Sequence, residues 1–321
     1  MPPPRPNLLF IMTDHQRADS LGMVQSGVEV CPRLNALAAE GVCFTRAYTT
    51  CPLCVPARTA LATGLYPTRN GVVFNDWRGL RAADHAPIHQ LLAEAGYDVA
   101  HVGMHHVRVA PPLERRVPFA AWIDRADHAA YLAGRDIDAD AREGLRPFRR
   151  TVAENQDGRT RPAEYSNTRV DVWPGPAEDF LDSFLCREAA AFVRRPRARP
   201  FALFLNLWAP HPPLRVPQPY ASLVDPARTD LPANVGRAGA GEPSGRRRGV
   251  AAQLGQAVPL EQWRRVWAAH LGLVRLADDG IGVVLDALAA AGRWDDTVVC
   301  FTVDHGDHLG QHGMYQKMEM Y

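Results

Sequence analysis

The sequence predicts an α/β fold with helices on both faces of a mostly parallel sheet. Three observations carry that reading. Short apolar runs at Asn7–Thr13 (NLLFIMT) and Phe201–Trp208 (FALFLNLW) suit buried strands, and Tyr97–Val102 (YDVAHV) and Asp295–Val303 read as further strands. Helical patterns closed by glycine lie between them. The runs end in polar, chemistry-bearing residues, and in open α/β sheets ligands sit at that edge.

The composition sets limits on function. With 321 residues, 46% hydrophobic and 22% charged, the chain reads as one globular catalytic domain over 1–321 with ample core. A net charge of +1 gives no bias toward nucleic acid or a membrane surface. Six irregularly spaced cysteines do not form a disulfide framework. No apolar run approaches the roughly 20 residues of a membrane span. The N-terminal MPPPRP enters a strand at once and leaves no room for a signal peptide, so a cytoplasmic location is the expectation.

The first strand delivers Asp14-His15-Gln16-Arg17 at its carboxyl end. Asp14 there is either a turn cap or a ligand. Pro32–Gly41 patterns as an amphipathic helix, and Val42–Tyr48 is expected to be a strand. The chain then reads Cys51-Pro-Leu-Cys54-Val-Pro56-Ala-Arg58 and continues to Thr63-Gly64. Pro56 suits a first helical position, which sets Cys54 just before a helix N-terminus, and Gly64 suits the C-cap. Free N–H groups and the dipole favour negative charge there, and Arg58 can reach back to the same spot. On chemistry alone Cys54 has other readings. It could belong to a redox pair with Cys51, activated by the helix end, to half a zinc site, or to a pair of buried thiols. No second Cys-x-x-Cys follows, and Cys31 and Cys43 lack zinc spacing.

Asn75 follows in NGVVFNDW as a turn former or an active-site amide. Ile88–Gly96 is a further helix, and Tyr97–Val102 ends in Gly103-Met104-His105-His106. The Arg- and Asp-rich passage of about 125–167 reads as a solvated insertion. Pro176–Arg195 reads as a helix whose basic end is solvated. Phe201–Trp208 leads to His211, fixed between prolines as suits a preorganised acid or anion contact. The Pro/Gly/Arg-rich stretch of about 225–256 is expected to be a flexible loop. Glu261–Gly292 is a long helix, and the last strand delivers Asp304-His305-Gly-Asp307, with Lys317 beyond. Strands that end in acid or imidazole groups at one sheet edge argue for a metal site.

The run Cys54, Pro56, Ala57, Arg58, Thr63 and Gly64 resembles the signature of the type I sulfatases, in the alkaline-phosphatase-like superfamily. The segment after Val303 resembles the same family's Ser-Asp-His/Asn-Gly element. The resemblance implies that a formylglycine-generating enzyme oxidises Cys54 to formylglycine, the catalytic nucleophile, so that enzyme is an expected partner. It also implies metal ligation by Asp14, His15, Cys54, Asp304 and His305. Calcium comes first on family grounds, with manganese or zinc as alternatives if both imidazoles ligate. Arg58, His106, His211 and Lys317 take catalytic roles, and Asn75, His211 and Lys317 contact substrate. Met104 stands where the family carries a lysine, and His15 departs from the family's usual residue.

The implied activity is hydrolysis of a small-molecule sulfate monoester. The alternatives are a phosphonate or phosphate monoester hydrolase on the same scaffold, or a truncated relative without turnover. Family members continue past the lysine into a smaller C-terminal sheet, so the sequence reads as lacking that subdomain.

Overall fold

The computed structural model describes residues 5–319, apart from 77–80, 84, 136, 138–144, 157, 240 and 244. Its centre is a five-stranded sheet of β1 (Asn7–Thr13), β2 (Asp98–Gly103), β3 (Ala121–Ile123), β4 (Phe201–Asn206) and β5 (Thr297–Val303). The order is β5-β1-β4-β2-β3, and every pairing is parallel. Sequence reading finds four of these strands. β3 holds only Ala-Trp-Ile, too short for any periodicity to register.

The continuous apolar character of β1, β2 and β4 follows from their place inside the sheet, whereas β5, at its edge, leaves Val298 and Cys300 exposed. The main helices are α1 (Pro32–Glu40), α2 (Cys54–Thr63), α3 (Ile88–Glu94), α4 (Leu181–Arg194) and α5 (Leu260–Ala290). On one face Leu9, Ile11, Leu203 and Leu205 share a core with Leu185 and Val193 of α4 and Trp263 and Trp267 of α5. On the other, Val99, Ala202 and Phe204 meet Leu92 and Ala93 of α3. Val55 and Ala62 of α2 join Val107, Val109 and Leu113 in a further cluster. Trp263 and Trp267 are almost wholly buried, and truncating either to alanine removes about 3–5 kcal/mol.

At the carboxyl edge, Gly103 closes β2 with φ +110°. A Cβ there would stand 1.9 Å from the Asn206 carbonyl oxygen, so only glycine lets β2 run this close to the end of β4. The Met104 N–H then donates to the Asn206 carbonyl at 3.0 Å, which turns the chain toward His106.

Several boundaries differ from the sequence reading. Val42–Tyr48 is irregular and exposed, with Phe44 79% accessible; its alternating residues find no partner strand among the described residues. α2 begins at Cys54 itself, so the cysteine stands inside the first turn and Pro56 two positions later than expected. Within 125–167, Arg125–Ala133 is a helix with an Asp124/Asp127 capping box, and Arg149–Gln156 pairs antiparallel with Arg159–Ser166. Residues 136, 138–144 and 157 of that passage lie outside the described residues. Val250–Gly255, counted in the 225–256 loop, is a buried helix, and the loop's 240 and 244 also lie outside the described residues. The same holds for Met1–Pro4, Trp77 of the NGVVFNDW stretch, and the last two residues, Met320-Tyr321. Among the described residues no helix is long and apolar enough to cross a membrane.

Candidate active site

The register of the sheet builds the site. Thr13 of β1 lies beside Val303 of β5, so the next residues, Asp14 and Asp304, emerge side by side. Both carboxylates are buried, and like charges so close require a cation between them. Arg58 supplies one. Its Nε donates to Asp304 Oδ2 and its Nη2 to Asp14 Oδ2, both at 2.8 Å, and its Nη1 to the Met104 carbonyl oxygen. This fork is what a guanidinium can offer and an ammonium cannot. Burial lowers the affinity of Arg58 for its proton, but Asp304 and Asp14 outweigh burial and raise it.

The surroundings act on the two carboxylates in opposite directions. Burial, with Asp304 second, pushes Asp14 up to about 7. For Asp304 burial also acts upward, but His305, Arg58 and Lys317 together outweigh it and hold the carboxyl below its usual range.

Cys54 opens α2 above this pair. Leu53 before it is extended, and the helix has no local side-chain cap. The cap comes from afar, as Asn75 Oδ1 accepts the Val55 N–H at 3.1 Å. Asn75 thereby fixes the helix end that carries Cys54. The thiol sulfur receives Lys317 Nζ at 2.6 Å, lies 3.2 Å from His305 Nε2 and donates to Asp14 Oδ1 at 3.6 Å. Burial, then Asp14, raises the thiol above its usual range against Lys317 and Arg58.

Two imidazoles complete the centre. His15 Nδ1 is held by Asp307 Oδ2 at 2.8 Å, and its Nε2 is buried without a hydrogen-bond partner, 3.8 Å from Asp14 Oδ1. His305 Nδ1 meets the Gly306 carbonyl oxygen at 3.0 Å, which leaves Nε2 facing Cys54 and Asp14. Rings pinned through one nitrogen with the other turned to a common point are how ligand histidines are held. Ligand atoms of Asp14, His15, Cys54 and His305 all lie within 4.8 Å of one another. The donor set thus fits a divalent cation. Asp304 stands at its border, with Oδ1 accepting the His305 N–H at 2.8 Å and Oδ2 on Arg58. Cys51 is half-buried and forms no disulfide.

The remaining sequence candidates frame this centre. The His211 ring lies edge-on to His15, with centroids 4.4 Å apart, and against Trp208 at 3.9 Å. His106 is half-buried and meets Trp208 edge-on at 6.0 Å. Burial first, then Lys317 for His211 and Arg58 for His106, lowers both imidazoles well below the usual histidine range. Sequence reading missed Asp307, which orients His15, and Asp182. Asp182 Oδ1 accepts the N–H groups of Trp208 and Ala209 at 2.7 and 3.0 Å and so fixes the exit of β4 toward His211. The second acid of Asp304-His-Gly-Asp307 was visible, but nothing in its spacing said which ring it would meet.

A sulfatase family model matches residues 6–320. The multifunctional alkaline phosphatase superfamily protein PehA of Trinickia caryophylli is 30% identical over 98% of this chain and 65% of its own length. An arylsulfatase of Clostridium perfringens is 26% identical over the same shares. Among solved structures, a phosphonate monoester hydrolase from Silicibacter pomeroyi superposes with TM-score 0.74 at 26% identity, over 99% of this chain and 66% of its own. The corresponding enzyme of Agrobacterium radiobacter, at 24% identity and TM-score 0.76, shares the fold. The chain thus spans 65% of the length of the first two relatives it matches.

Proposed function

The chain belongs to the sulfatase family, and from that premise we propose that it hydrolyses small-molecule sulfate monoesters with a nucleophile made from Cys54. The observation that carries this reading is the environment of the Cys54 sulfur. It opens a helix, with Lys317 Nζ at 2.6 Å, His305 Nε2 at 3.2 Å and Asp14 Oδ1 at 3.6 Å. A formylglycine-generating enzyme would convert this residue to an aldehyde, whose hydrate supplies the attacking oxygen.

A sulfate ester repels nucleophiles through its negative charge, so the residues around it must concentrate positive charge. Lys317 stands beside the nucleophile for that purpose, and Arg58 holds both carboxylates in register. Asp14 lies within reach of the nucleophile's proton, whereas Asp304 is turned toward Arg58. His211, packed on His15 and Trp208, is the acid for the departing alcohol. His106 is the base for the second hydroxyl proton, whose removal expels sulfate. A divalent cation would be held by Asp14, His15 and His305 with Asp304 at the border, and would supply Lewis-acid charge beside the transferred group. Two imidazoles in that set favour manganese or zinc over calcium.

A second reading, phosphonate monoester hydrolysis, draws on Met104, which lines the substrate-side cavity without the cation the family carries there. Rates on 4-nitrophenyl sulfate, 4-nitrophenyl phosphate and a 4-nitrophenyl phenylphosphonate ester separate the readings. Fastest turnover of the sulfate is expected. A faster phosphonate reaction selects the second reading, and no turnover of any ester marks a non-catalytic relative. Met104→Lys is expected to move the sulfate-to-phosphonate rate ratio toward sulfate; an unmoved ratio means that residue 104 does not face the transferred group.

A further inference from the structure

The two oxygens of the Asp307 carboxylate meet different parts of the centre. Oδ2 lies 2.8 Å from His15 Nδ1. Oδ1 accepts the N–H groups of Leu309 at 2.9 Å and of Gln316 at 3.0 Å. Asp307 is buried, so these protein groups take the place of water on both oxygens.

The Oδ1 side organises the loop that delivers Lys317. Its two ends are tied by the His308 N–H to the Gln316 carbonyl oxygen at 2.8 Å, and by the Gly310 N–H to the Met314 carbonyl oxygen at 2.7 Å. Gln316 stands at φ +67°, a left-handed backbone that residues with a Cβ avoid unless their surroundings hold them there. It is held by its N–H on Asp307, by its carbonyl, and by its side chain, which donates to the Ser166 carbonyl oxygen at 2.6 Å. The next residue is Lys317, whose Nζ reaches the Cys54 sulfur.

The Oδ2 side sets the His15 ring. An ionised carboxylate only accepts hydrogen bonds, so the ring proton belongs on Nδ1 and the lone pair on Nε2. Nε2 is buried, has no hydrogen-bond partner among the described residues and stands 3.8 Å from Asp14 Oδ1. His15 is one of the donor cluster with Asp14, Cys54 and His305, and an imidazole ligates only through an unprotonated nitrogen.

We propose that Asp307 is a positioning residue with two tasks: it sets the His15 tautomer that leaves Nε2 bare toward a divalent cation and, through Gln316, it holds the loop that brings Lys317 to Cys54. This deepens the reading above, resting on its cation site but not on which ester is cleaved. A single carboxylate thereby ties the shape of the cation site to the placement of the lysine.

One substitution separates the two tasks. In Asp307→Asn the N–H groups of Leu309 and Gln316 still require an acceptor, so the amide oxygen takes the place of Oδ1 and the NH2 group turns to His15. The ring must then accept at Nδ1 and carry its proton on Nε2, where it blocks a cation. Histidine-selective nitrogen NMR of the metal-free protein at about pH 8 reads the tautomer. The proton is expected on Nδ1 in the unaltered protein and on Nε2 in Asp307→Asn. Manganese(II) binding, followed by calorimetry, is expected to weaken about 10–100-fold in that variant. Amide hydrogen exchange at Leu309 and Gln316 should stay slow in Asp307→Asn and become fast in Asp307→Ala. Should Asp307→Ala fail to fold, Asp307→Asn decides through tautomer and affinity. A proton on Nε2 in the unaltered protein, no manganese binding by it, an affinity in Asp307→Asn within about threefold of the original, or slow exchange kept in Asp307→Ala overturns the proposal. None of these readouts needs turnover. If no ester is cleaved but tautomer and affinity respond as expected, the hydrolase reading has failed and the role of Asp307 stands. If an ester is cleaved while Asp307→Asn binds manganese as before, the role of Asp307 has failed and the hydrolysis stands.

Discussion

Arg58 shows how much one residue of the site depends on three-dimensional context. Four positions after Cys54, it reaches back to the same spot, and its guanidinium bridges Asp304, the Met104 carbonyl and Asp14, whose other oxygen meets the Cys54 sulfur. The arrangement sets one buried cation between two buried carboxylates and offsets part of their repulsion. Two predictions belong at this scale. Cys54 is expected to be converted to formylglycine on co-expression with the modifying enzyme, a loss of about 18 Da on replacing CH₂SH by CHO. Peptide mass spectrometry across residues 47–58 reads this directly. Activity should vanish in Cys54→Ala and survive in Cys51→Ala, whereas a redox pair requires both; an unmodified Cys54 in fully active protein would sink the mechanism. The second prediction concerns metal content. Asp14→Ala is expected to lose the bound divalent cation in elemental analysis, and a variant with full occupancy overturns that ligand assignment. Asp304→Ala tells whether Asp304 ligates as well or serves to hold Arg58: retained metal in that variant selects the second role.

At the scale of the element, α2 and the exit of β4 make the same point. The first turn of a helix leaves N–H groups unpaired, and here one of them is met by Asn75 from a separate segment. That remote cap allows the helix to begin at Cys54. Pro56 in the first turn removes a donor that had no intrahelical partner in any case. At the end of β4, Asp182 performs a similar task for Trp208 and Ala209. Burial raises its carboxyl from 3.8 to about 6, against those two N–H bonds. A folded-state value above the unfolded one means that the native protein binds the proton more tightly. This group's contribution is therefore most favourable below about pH 4 and declines as pH rises to about 6. Asp182→Asn does not titrate. Its stability relative to the unaltered protein should rise by about 2–3 kcal/mol between pH 4 and pH 8. Denaturant melts at the two pH values check this, and a gap that does not change with pH refutes it.

For the whole molecule, an all-parallel order β5-β1-β4-β2-β3 brings four strand ends from distant parts of the chain to one edge. Loops from β1, β2, β4 and β5 supply Asp14, Met104 with His106, His211, and Asp304 with His305; α2 adds Cys54 and Arg58. The surface is less finished than the core. Phe44, Tyr48, Tyr66 and Val298 are large apolar side chains more than half exposed. Such side chains contribute little to the stability of the described fold, because they are already in water. Phe44→Ser is expected to change unfolding free energy by less than about 0.5 kcal/mol while reducing the binding of a hydrophobic dye. A large loss of stability would show that this segment packs in solution.

The strands, the main helices and most of the site residues were legible in the sequence for a physical reason. Burial on both faces forces continuous apolar runs, and a parallel sheet requires helical crossovers between them. Polar groups then gather where the strands end, so Asp14, His106, His211 and Asp304 were found as site candidates by position together with the family resemblance, and the Cys54–Gly64 run by its spacing. The sequence was misleading where local preference was the only guide. Val42–Tyr48 alternates like a strand but has no partner among the described residues, and a strand exists only by pairing. The fork of Arg58 across two carboxylates, the Asp307 brace on His15 and the Asn75 cap on α2 were decided by tertiary structure. Each depends on groups from distant segments, and sequence distance carries no information about their charge, burial or approach in space.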